Sequence, residues 1–144
     1  MMTFKSILLV DEDEMEIASF QRALKKLGLP KDILVATRAG EALSWLSREE
    51  LDLPDFILLD MGVQEVDGYE FLLNLREQER LADVPVFIMT TSPDAADDKR
   101  LDTCRIAGAF IKPLSYNNNS RKNDSMDAFV QFYLRKILLD MKTG

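Results

Sequence analysis

The stretch Phe56-Ile57-Leu58-Leu59-Asp60 decides the fold, because four apolar residues of strand type end on a single carboxylate. Three other apolar runs also end on reactive groups: an acidic cluster, a pair of hydroxyl groups and an amine. These runs are Ile7–Val10 before Asp11-Glu12-Asp13, Val86–Met89 before Thr90-Thr91, and Ala109–Ile111 before Lys112-Pro113. Reactive groups that end strands far apart in the chain predict one assembled site for Mg²⁺ and phosphate.

The apolar runs alternate with segments of helical periodicity. A fifth run, Ile33–Ala36, ends without a reactive group. Helices are predicted near Glu14–Leu27, Ala39–Leu51, Tyr69–Arg80, Asp94–Ala107 and Met126–Met141. Continuous apolar strands between amphipathic helices indicate an α/β fold with a parallel sheet covered on both faces. Five such units match the flavodoxin-like, doubly wound (βα)5 fold, with strand order 2-1-3-4-5.

This strand order places the four reactive strand ends side by side and the unreactive second strand at the edge. Ligands of such folds bind at the carboxyl ends of the strands, near the switch between strands 1 and 3. Asp11, Glu12 and Asp60 fall at that switch. A chain of 144 residues is one domain's worth, so we expect a single domain over residues 1–144, with a core of about 4–141 and no output domain.

Composition excludes several classes of function. The net charge of −7 argues against nucleic acid or an anionic membrane as the main partner. The absence of histidine excludes histidine-based catalysis, histidine phosphorylation on this chain and most zinc sites. A lone cysteine, Cys104, fits a reducing compartment, and no apolar stretch is long enough to span a bilayer. We therefore expect a cytoplasmic protein.

The chemistry that these residues suggest is phosphoryl transfer to a carboxylate. Asp60 would be the nucleophile that becomes an acyl phosphate. Mg²⁺ prefers one or two carboxylates, waters and phosphate oxygens. Glu12 and Asp60 would bind it directly, Asp11 would bind it through water, and the carbonyl of Gly62 would add a further oxygen. The Lys112 ammonium would contact the phosphoryl oxygens, and the Thr90 hydroxyl would donate a hydrogen bond to one of them.

Each of these residues also has an ordinary structural interpretation. An acidic cluster after a strand suits the positive end of a helix, and a lone aspartate at a strand end often forms a turn. Asp67-Gly68 is a common turn signal. Lys112 could be a solvated lysine, and Thr90 a strand residue. The joint occurrence of all of them, on the four correct strands, favours the assembled site.

The chain resembles the receiver domain of two-component response regulators over essentially its whole length. The family pattern is an acidic pair after strand 1, an acceptor aspartate after strand 3 with Asp-Gly seven and eight residues later, a threonine or serine after strand 4, and Lys-Pro after strand 5. The matching residues here are Asp11-Glu12, Asp60 with Asp67-Gly68, Thr90, and Lys112-Pro113. The run Thr90-Thr91-Ser92 is most similar to single-domain regulators associated with phytochromes.

The resemblance implies that a histidine kinase or phosphotransfer protein donates a phosphoryl group to Asp60 with Mg²⁺ as cofactor. It also implies that Thr90 then moves toward the phosphoryl group. The surface of the fourth helix, fifth strand and fifth helix would repack and change its partner. Such a chain is not an enzyme beyond its own phosphorylation and dephosphorylation. The Lys112-Pro113 peptide is expected to be cis, and the apolar fifth helix suggests a homodimer through the same surface.

Some positions depart from the family pattern. Glu12 occupies a position where aspartate is more common, Gln64 replaces a usual proline, and Gly62 offers no side chain beside the phosphoryl group. The aromatic switch residue usually lies three residues before the lysine. Here that position is Ala109 and Phe110 is displaced by one, so either Phe110 fills the role or the aromatic switch is absent.

Two other functions fit parts of the sequence. A haloacid-dehalogenase-type phosphotransferase would use Asp11 as nucleophile in an Asp11-x-Asp13 motif, with Thr90 and Lys112 in later motifs. Met15 does not fit that motif, no acidic pair follows Lys112, and Asp60 would have no role. The second alternative is a receiver-shaped interaction module that never takes phosphate, which the altered loops allow.

Overall fold

The computed structural model describes residues 6–26, 32–62, 68–90 and 99–111. Within these ranges the chain forms five strands, three α-helices and one 3₁₀ helix. In chain order they are β1 (Ser6–Val10), α1 (Glu14–Lys26), β2 (Asp32–Ala36), α2 (Ala39–Leu46), β3 (Phe56–Asp60), α3 (Gly68–Glu77), β4 (Val86–Thr90), the 3₁₀ helix Lys99–Thr103 and β5 (Gly108–Ile111). The strands agree with the predicted runs to within one residue at each end.

The five strands form one parallel sheet in the order β2-β1-β3-β4-β5, which confirms the predicted flavodoxin-like fold. Val10 lies opposite Leu59 in the β1–β3 pair, and Asp60 lies opposite Met89 in the β3–β4 pair. The carboxyl ends of β1, β3 and β4 therefore lie at one edge of the sheet. This register places the reactive residues as neighbours.

The sheet is buried on both faces, as its uninterrupted apolar strands require. Every residue of β3 and of β4 is buried. Alternate strand residues such as Leu8 and Ile57 pack with buried residues of α2 and α3, including Ala42 and Phe71. The intervening residues point to the opposite face, where Phe56 and Phe87 meet edge to face with ring centroids 5.5 Å apart.

The second and third helices end earlier than the sequence pattern predicts. At the end of α2 the N–H of Ser47 still donates to Leu43, four residues back, and its hydroxyl donates to the same carbonyl, whereas the N–H of Arg48 donates to Trp45, three residues back. Beyond α3, the N–H of Gln78 donates to Leu75, and the N–H of Leu81 donates to Gln78. These are turns of the three-residue type rather than continued α-helix. The helical spacing of apolar residues continues past the ends of α2 and α3, but the α-helical hydrogen bonding of the backbone does not.

The predicted fourth helix, Asp94–Ala107, is wrong at its C-terminal end. From Lys99 onward the chain forms only the 3₁₀ helix Lys99–Thr103. Arg105 then adopts a left-handed conformation with φ of 53°, which a helix interior does not allow. The N–H of Ala107 donates to the carbonyl of Val86 at 2.7 Å, so the chain has already joined the sheet there.

Arg76, near the end of α3, ties three segments together. Its guanidinium donates to the carbonyls of Ala82 and Val84 in the loop before β4, at 3.0 and 2.8 Å. It also donates to the carbonyls of Cys104 and Arg105 after the 3₁₀ helix, at 2.7 and 3.3 Å. Burial lowers the pKa of Arg76, but an arginine this basic keeps its proton. The Arg76 side chain therefore holds the end of α3 against the loop before β4 and the turn after the 3₁₀ helix.

Several predictions lie outside the described residues. These are the fifth helix, the Lys112-Pro113 peptide with its cis geometry, and the side chain of Phe110, for which the sequence left the switch role open. Within the ranges that the structure describes, no helix combines the length and the apolar character needed to cross a membrane.

Candidate functional site

The site begins with two aspartates that the sheet register places side by side. Asp11 follows Val10 and Asp60 follows Leu59, and these two strand residues are partners across β1 and β3. The backbone N–H of Asp11 donates to the carbonyl of Ala36 in β2 at 3.0 Å. The N–H of Met61, directly after Asp60, donates to the carbonyl of Met89 at 2.9 Å. Both carboxylates are thus fixed by the ends of paired strands.

The loop after β1 is organised by carboxylates that accept backbone hydrogen bonds. Oδ1 of Asp11 accepts from the N–H of Asp13 at 2.9 Å. Oδ1 of Asp13 accepts from the N–H groups of Met15 and Glu16, at 2.9 and 3.2 Å. Asp13 is therefore the N-cap of α1. Its role is structural, which weakens the motif on which the haloacid-dehalogenase alternative depends.

Asp60 is 8% exposed at the end of β3. Its Oδ1 accepts from the N–H of Gly62 at 2.9 Å. A Cβ atom at position 62 would lie 3.3 Å from that same oxygen, which is tighter than an ordinary contact. Glycine at this position therefore keeps the space beside the Asp60 carboxylate open.

A third carboxylate joins the two aspartates, and the sequence pattern did not single it out. Oxygens of Asp11, Glu16 and Asp60 all lie within 4.8 Å of one another. Glu12, which was predicted as a direct metal ligand, is exposed, whereas Glu16 is half-buried. The spacing Asp13-x-x-Glu16 is a capping signature, and it was the only signal that could have drawn attention to Glu16.

The electrostatics of the site are dominated by burial of like charges. Asp11 is fully buried, and its pKa is raised to about 8. Burial is the largest cause of this rise, a side-chain hydrogen bond with Glu16 and the charges of Glu16 and Asp60 add to it, and the hydrogen bond from the Asp13 N–H opposes it. The ionised site therefore requires a positive charge to balance it.

The side chain of Asp11 also has an oxygen that fits a metal ion. Within the part of the chain that the structure describes, no N–H or hydroxyl group donates to the buried Oδ2 of Asp11, and the Asp11 carboxyl can share a hydrogen bond with that of Glu16 only when one of the two is protonated. A buried carboxylate oxygen without a donor is costly, and a bound cation would satisfy it. Carboxylates and backbone carbonyls are the oxygen ligands that Mg²⁺ and related cations prefer.

Thr90 ends β4 and is 6% exposed. It follows Met89, the strand partner of Asp60, and its own partner in β5 is Ile111. Its position is consistent with the role predicted for its hydroxyl. Gly68 begins α3, whereas Asp67 and Lys112 lie outside the described residues, so the structure does not test the expected lysine contact.

Comparison with known proteins assigns the family. The family model for the response regulator receiver domain matches residues 7–120. The probable methanogenesis regulatory protein FilR2 of Methanothrix harundinacea (strain 6Ac) is 33% identical over 118 residues, which are 80% of this chain and 76% of that protein.

Solved structures agree with this assignment. A two-component response regulator from Legionella pneumophila superposes with a TM-score of 0.73 at 28% identity, covering 97% of this chain and 99% of that one. The phosphorylated cyanobacterial phytochrome response regulator RcpA gives a TM-score of 0.73 at 24% identity, covering 93% and 96%. The second likeness shows the fold alone, so the phytochrome-associated subtype stays a prediction. On the family match, this chain belongs to the response regulator receiver domains of two-component signalling systems.

Proposed function

We propose that this chain takes a phosphoryl group on Asp60 from a histidine kinase or phosphotransfer protein, in a reaction that depends on Mg²⁺. The observation that carries the proposal is the cluster of Asp11, Glu16 and Asp60 at the carboxyl edge of the sheet, within 4.8 Å. The given sequence contains no histidine, so a phosphohistidine donor must lie outside it.

The reaction is an in-line displacement at phosphorus. A carboxylate oxygen of Asp60 attacks the phosphorus atom, the bond between phosphorus and the donor imidazole nitrogen breaks, and the electron pair leaves with that nitrogen. When bound, Mg²⁺ would neutralise charge on the phosphoryl oxygens. Asp11, Asp60 and the Gly62 carbonyl are proposed to hold it, with Glu12 as the further ligand that the family resemblance implies.

The residues of this chain supply position and access for that displacement. The Gly62 N–H holds Oδ1 of Asp60 at 2.9 Å, which fixes the orientation of the carboxylate before the donor arrives. The absence of a side chain at Gly62 leaves room beside the acceptor. Lys112 and the Thr90 hydroxyl are proposed to contact the transferred phosphoryl oxygens.

We further propose that phosphorylation is read out on the surface of the fourth helix, fifth strand and fifth helix. Support comes from the position of Thr90, which lies in β4 opposite Ile111 of β5. Movement of Thr90 toward a phosphoryl group on Asp60 would be transmitted to that neighbouring strand. Binding of a partner or of a second copy of the chain through this surface belongs to the same proposal.

Intact-mass spectrometry after incubation with acetyl phosphate and Mg²⁺ tests the proposed chemistry. We expect one added phosphoryl group, removed by hydroxylamine and absent when EDTA replaces Mg²⁺. The Asp60→Asn variant should remain unlabelled. Asp52→Asn removes an exposed carboxylate from the loop before β3 and should be labelled like the wild type.

Absence of any adduct on the wild type, under conditions that label another receiver domain, would contradict the proposal and favour the phosphorylation-independent interaction module. Labelling that persists in Asp60→Asn would place the acceptor elsewhere. Loss of labelling in Asp11→Asn with retention in Asp60→Asn is the pattern that the haloacid-dehalogenase alternative requires.

A further inference from the structure

The pair Asp67-Gly68 is a turn signal in the sequence, but the structure gives Gly68 a different importance. Gly68 is buried and begins α3. Its φ lies outside the left-handed region that favours glycine, so its backbone conformation is open to other residues. What glycine supplies at this position is therefore space.

The side chain of Met61 fills that space. A Cβ atom at position 68 would lie 2.5 Å from Sδ and 2.8 Å from Cε of Met61, well inside the roughly 3.5–4.0 Å at which non-bonded atoms pack. The same Cβ atom would lie 3.6 Å from the Cα of Met61, which is an ordinary contact. The thioether of Met61, and not the backbone, therefore occupies the place of a side chain at position 68.

Met61 lies directly beside the proposed acceptor in the chain. Its N–H donates to the carbonyl of Met89 at 2.9 Å, which fixes the backbone at the end of β3. On the other side of Met61, the N–H of Gly62 donates to Oδ1 of Asp60 at 2.9 Å. The backbone torsions of Met61 therefore determine whether the hydrogen bond between Gly62 and Asp60 forms.

The backbone at Gly62 needs support from a neighbouring residue. Glycine at this position keeps the space beside the Asp60 carboxylate open, but it also leaves the backbone less restricted. Met61 is half-buried and packs against the core cluster that contains Leu59 and Leu72. Because its thioether also lies over Gly68, the Met61 side chain is held from two directions, which limits rotation of the backbone that leads to Gly62.

The contact between Met61 and Gly68 also has an ordinary interpretation. Methionine often fills irregular gaps in a core, and gap filling alone predicts that loss of the side chain lowers stability without any separate effect on chemistry. The location of Met61 favours a further role, since it separates the two residues whose hydrogen bond orients the Asp60 carboxylate.

We propose that Met61 is a positioning residue for phosphoryl transfer to Asp60, and that position 68 is glycine to accommodate it. The thioether packed over Gly68 holds the backbone between Asp60 and Gly62, so that the carboxylate keeps the orientation needed for in-line attack. Met61 acts through that backbone and takes no part in the bond changes. The inference rests on the proposed function, because it concerns the same acceptor.

Labelling rates of matched variants test the proposal. The rate of labelling by acetyl phosphate at saturating Mg²⁺ is measured by intact-mass spectrometry for the wild type, Met61→Ala, Met61→Leu, Gly68→Ala and the double variant with alanine at both positions. Leu43→Ala is the control, because Leu43 is a half-buried residue of α2 that packs against the same core cluster. The melting temperature of each variant separates a loss of stability from a loss of rate.

We expect Met61→Ala to be labelled about tenfold more slowly than the wild type, because a small displacement of a reacting group is enough for such a loss. Met61→Leu nearly preserves the volume of the side chain and should recover most of the rate. Leu43→Ala should lower the melting temperature as well, but its labelling rate should stay within about twofold of the wild type, as expected of an independent site.

Gly68→Ala is a second test, because it moves the Met61 side chain without removing it. The thioether is near the flexible end of that side chain and can move aside for the added methyl group, so the variant should fold. We expect Gly68→Ala to slow labelling about tenfold when Met61 is present. In the Met61→Ala background it should slow labelling by less than about twofold, because the clash is gone.

Labelling of Met61→Ala at the wild-type rate, or a loss of rate no larger than that of Leu43→Ala, would overturn the proposal. Effects of Met61→Ala and Gly68→Ala that simply multiply in the double variant would overturn it as well. In each of these cases the wild type is still labelled, so the proposed function stands. A wild type that takes no label contradicts the proposed function itself, and the role of Met61 with it.

Discussion

At the residue scale, Asp11 is the side chain on which the free energy of the site depends most. It is fully buried and close to two other carboxylates. Its role is not stabilisation of the metal-free fold, because a carboxyl whose pKa is raised from 3.8 to about 8 lowers the free energy of unfolding at neutral pH. We expect a bound cation to offset this cost.

We expect Asp11→Asn to raise the melting temperature of the metal-free protein at pH 7.5 by about 5 °C, the shift that about 1 kcal/mol produces in a domain of this size. The amide removes a charge and can donate to a neighbouring carboxylate. Added Mg²⁺ should raise the melting temperature of the wild type and leave the variant unchanged. Differential scanning calorimetry in EDTA and in Mg²⁺ measures both effects.

The difference in melting temperature between Asp11→Asn and the wild type should increase as the pH rises. The pKa of Asp11 is raised from 3.8 to about 8, so between these values the folded state binds more protons than the unfolded state. Stability of the metal-free wild type is therefore lost as pH rises through this range. Asp11→Asn should lack this loss. A melting temperature of the variant below that of the wild type at pH 7.5 in EDTA would contradict the argument.

Individual residues of the site were harder to predict from the sequence than the strands were. The places of Asp11, Asp60 and Thr90 at the carboxyl edge of the sheet could be predicted, because each directly follows an apolar run and the strand register fixes its position. Glu16 could not be predicted in the same way, because its direction depends on where α1 begins. The N-cap at Asp13 sets that start and turns Glu16 toward the site, whereas Glu12 remains exposed.

At the element scale, α3 and the 3₁₀ helix are joined at both ends. Arg100 of the 3₁₀ helix lies over the ring of Tyr69 at the start of α3, 4.6 Å from its centroid. Arg76 near the end of α3 donates to carbonyls just after the 3₁₀ helix. The two arginines therefore hold the 3₁₀ helix and the turn that follows it against α3.

Arg76→Ala should lower the free energy of unfolding by about 2–3 kcal/mol, because several partly buried carbonyls lose a charged donor at once. Urea denaturation measures this loss. Arg76→Lys should recover little of it, since an ammonium group cannot reach both turns. Arg22→Ala, an exposed position on α1, serves as the control and should change stability by less than about 0.5 kcal/mol. Equal losses in the free energy of unfolding for Arg76→Ala and Arg22→Ala would show that the hydrogen bonds of Arg76 contribute little to stability.

The elements themselves were predictable to different degrees. All five strands were predicted because buried parallel strands are continuous apolar runs, a signal that does not depend on neighbours. Helix ends were less predictable, because apolar periodicity does not reveal where backbone bonding changes. The left-handed conformation of Arg105 is the clearest case. It is set by the return of the chain to β5 and by the contacts to Arg76, not by local preference.

At the scale of the whole molecule, the strand order could be predicted because few topologies allow four right-handed crossovers between five parallel strands. That order also explains why reactive residues far apart in the sequence reach one edge of the sheet. The family match agrees with this reading. The predicted single domain over residues 1–144, the cytoplasmic location and the dimer remain predictions, because each depends on more than the sheet.

The position of β3 at the centre of the sheet has a consequence for hydrogen exchange. Its backbone is paired with β1 on one side and β4 on the other, and every residue is buried, whereas β2 lies at the edge and is partly exposed. Amide protons of β3 should therefore exchange with deuterium only when the whole domain opens, and those of β2 through smaller openings. Exchange mass spectrometry of peptides over the two strands measures the difference, and equal rates would contradict it. Asp60 thus belongs to the part of the backbone that opens last, so the proposed acceptor keeps its position while less protected segments such as β2 open.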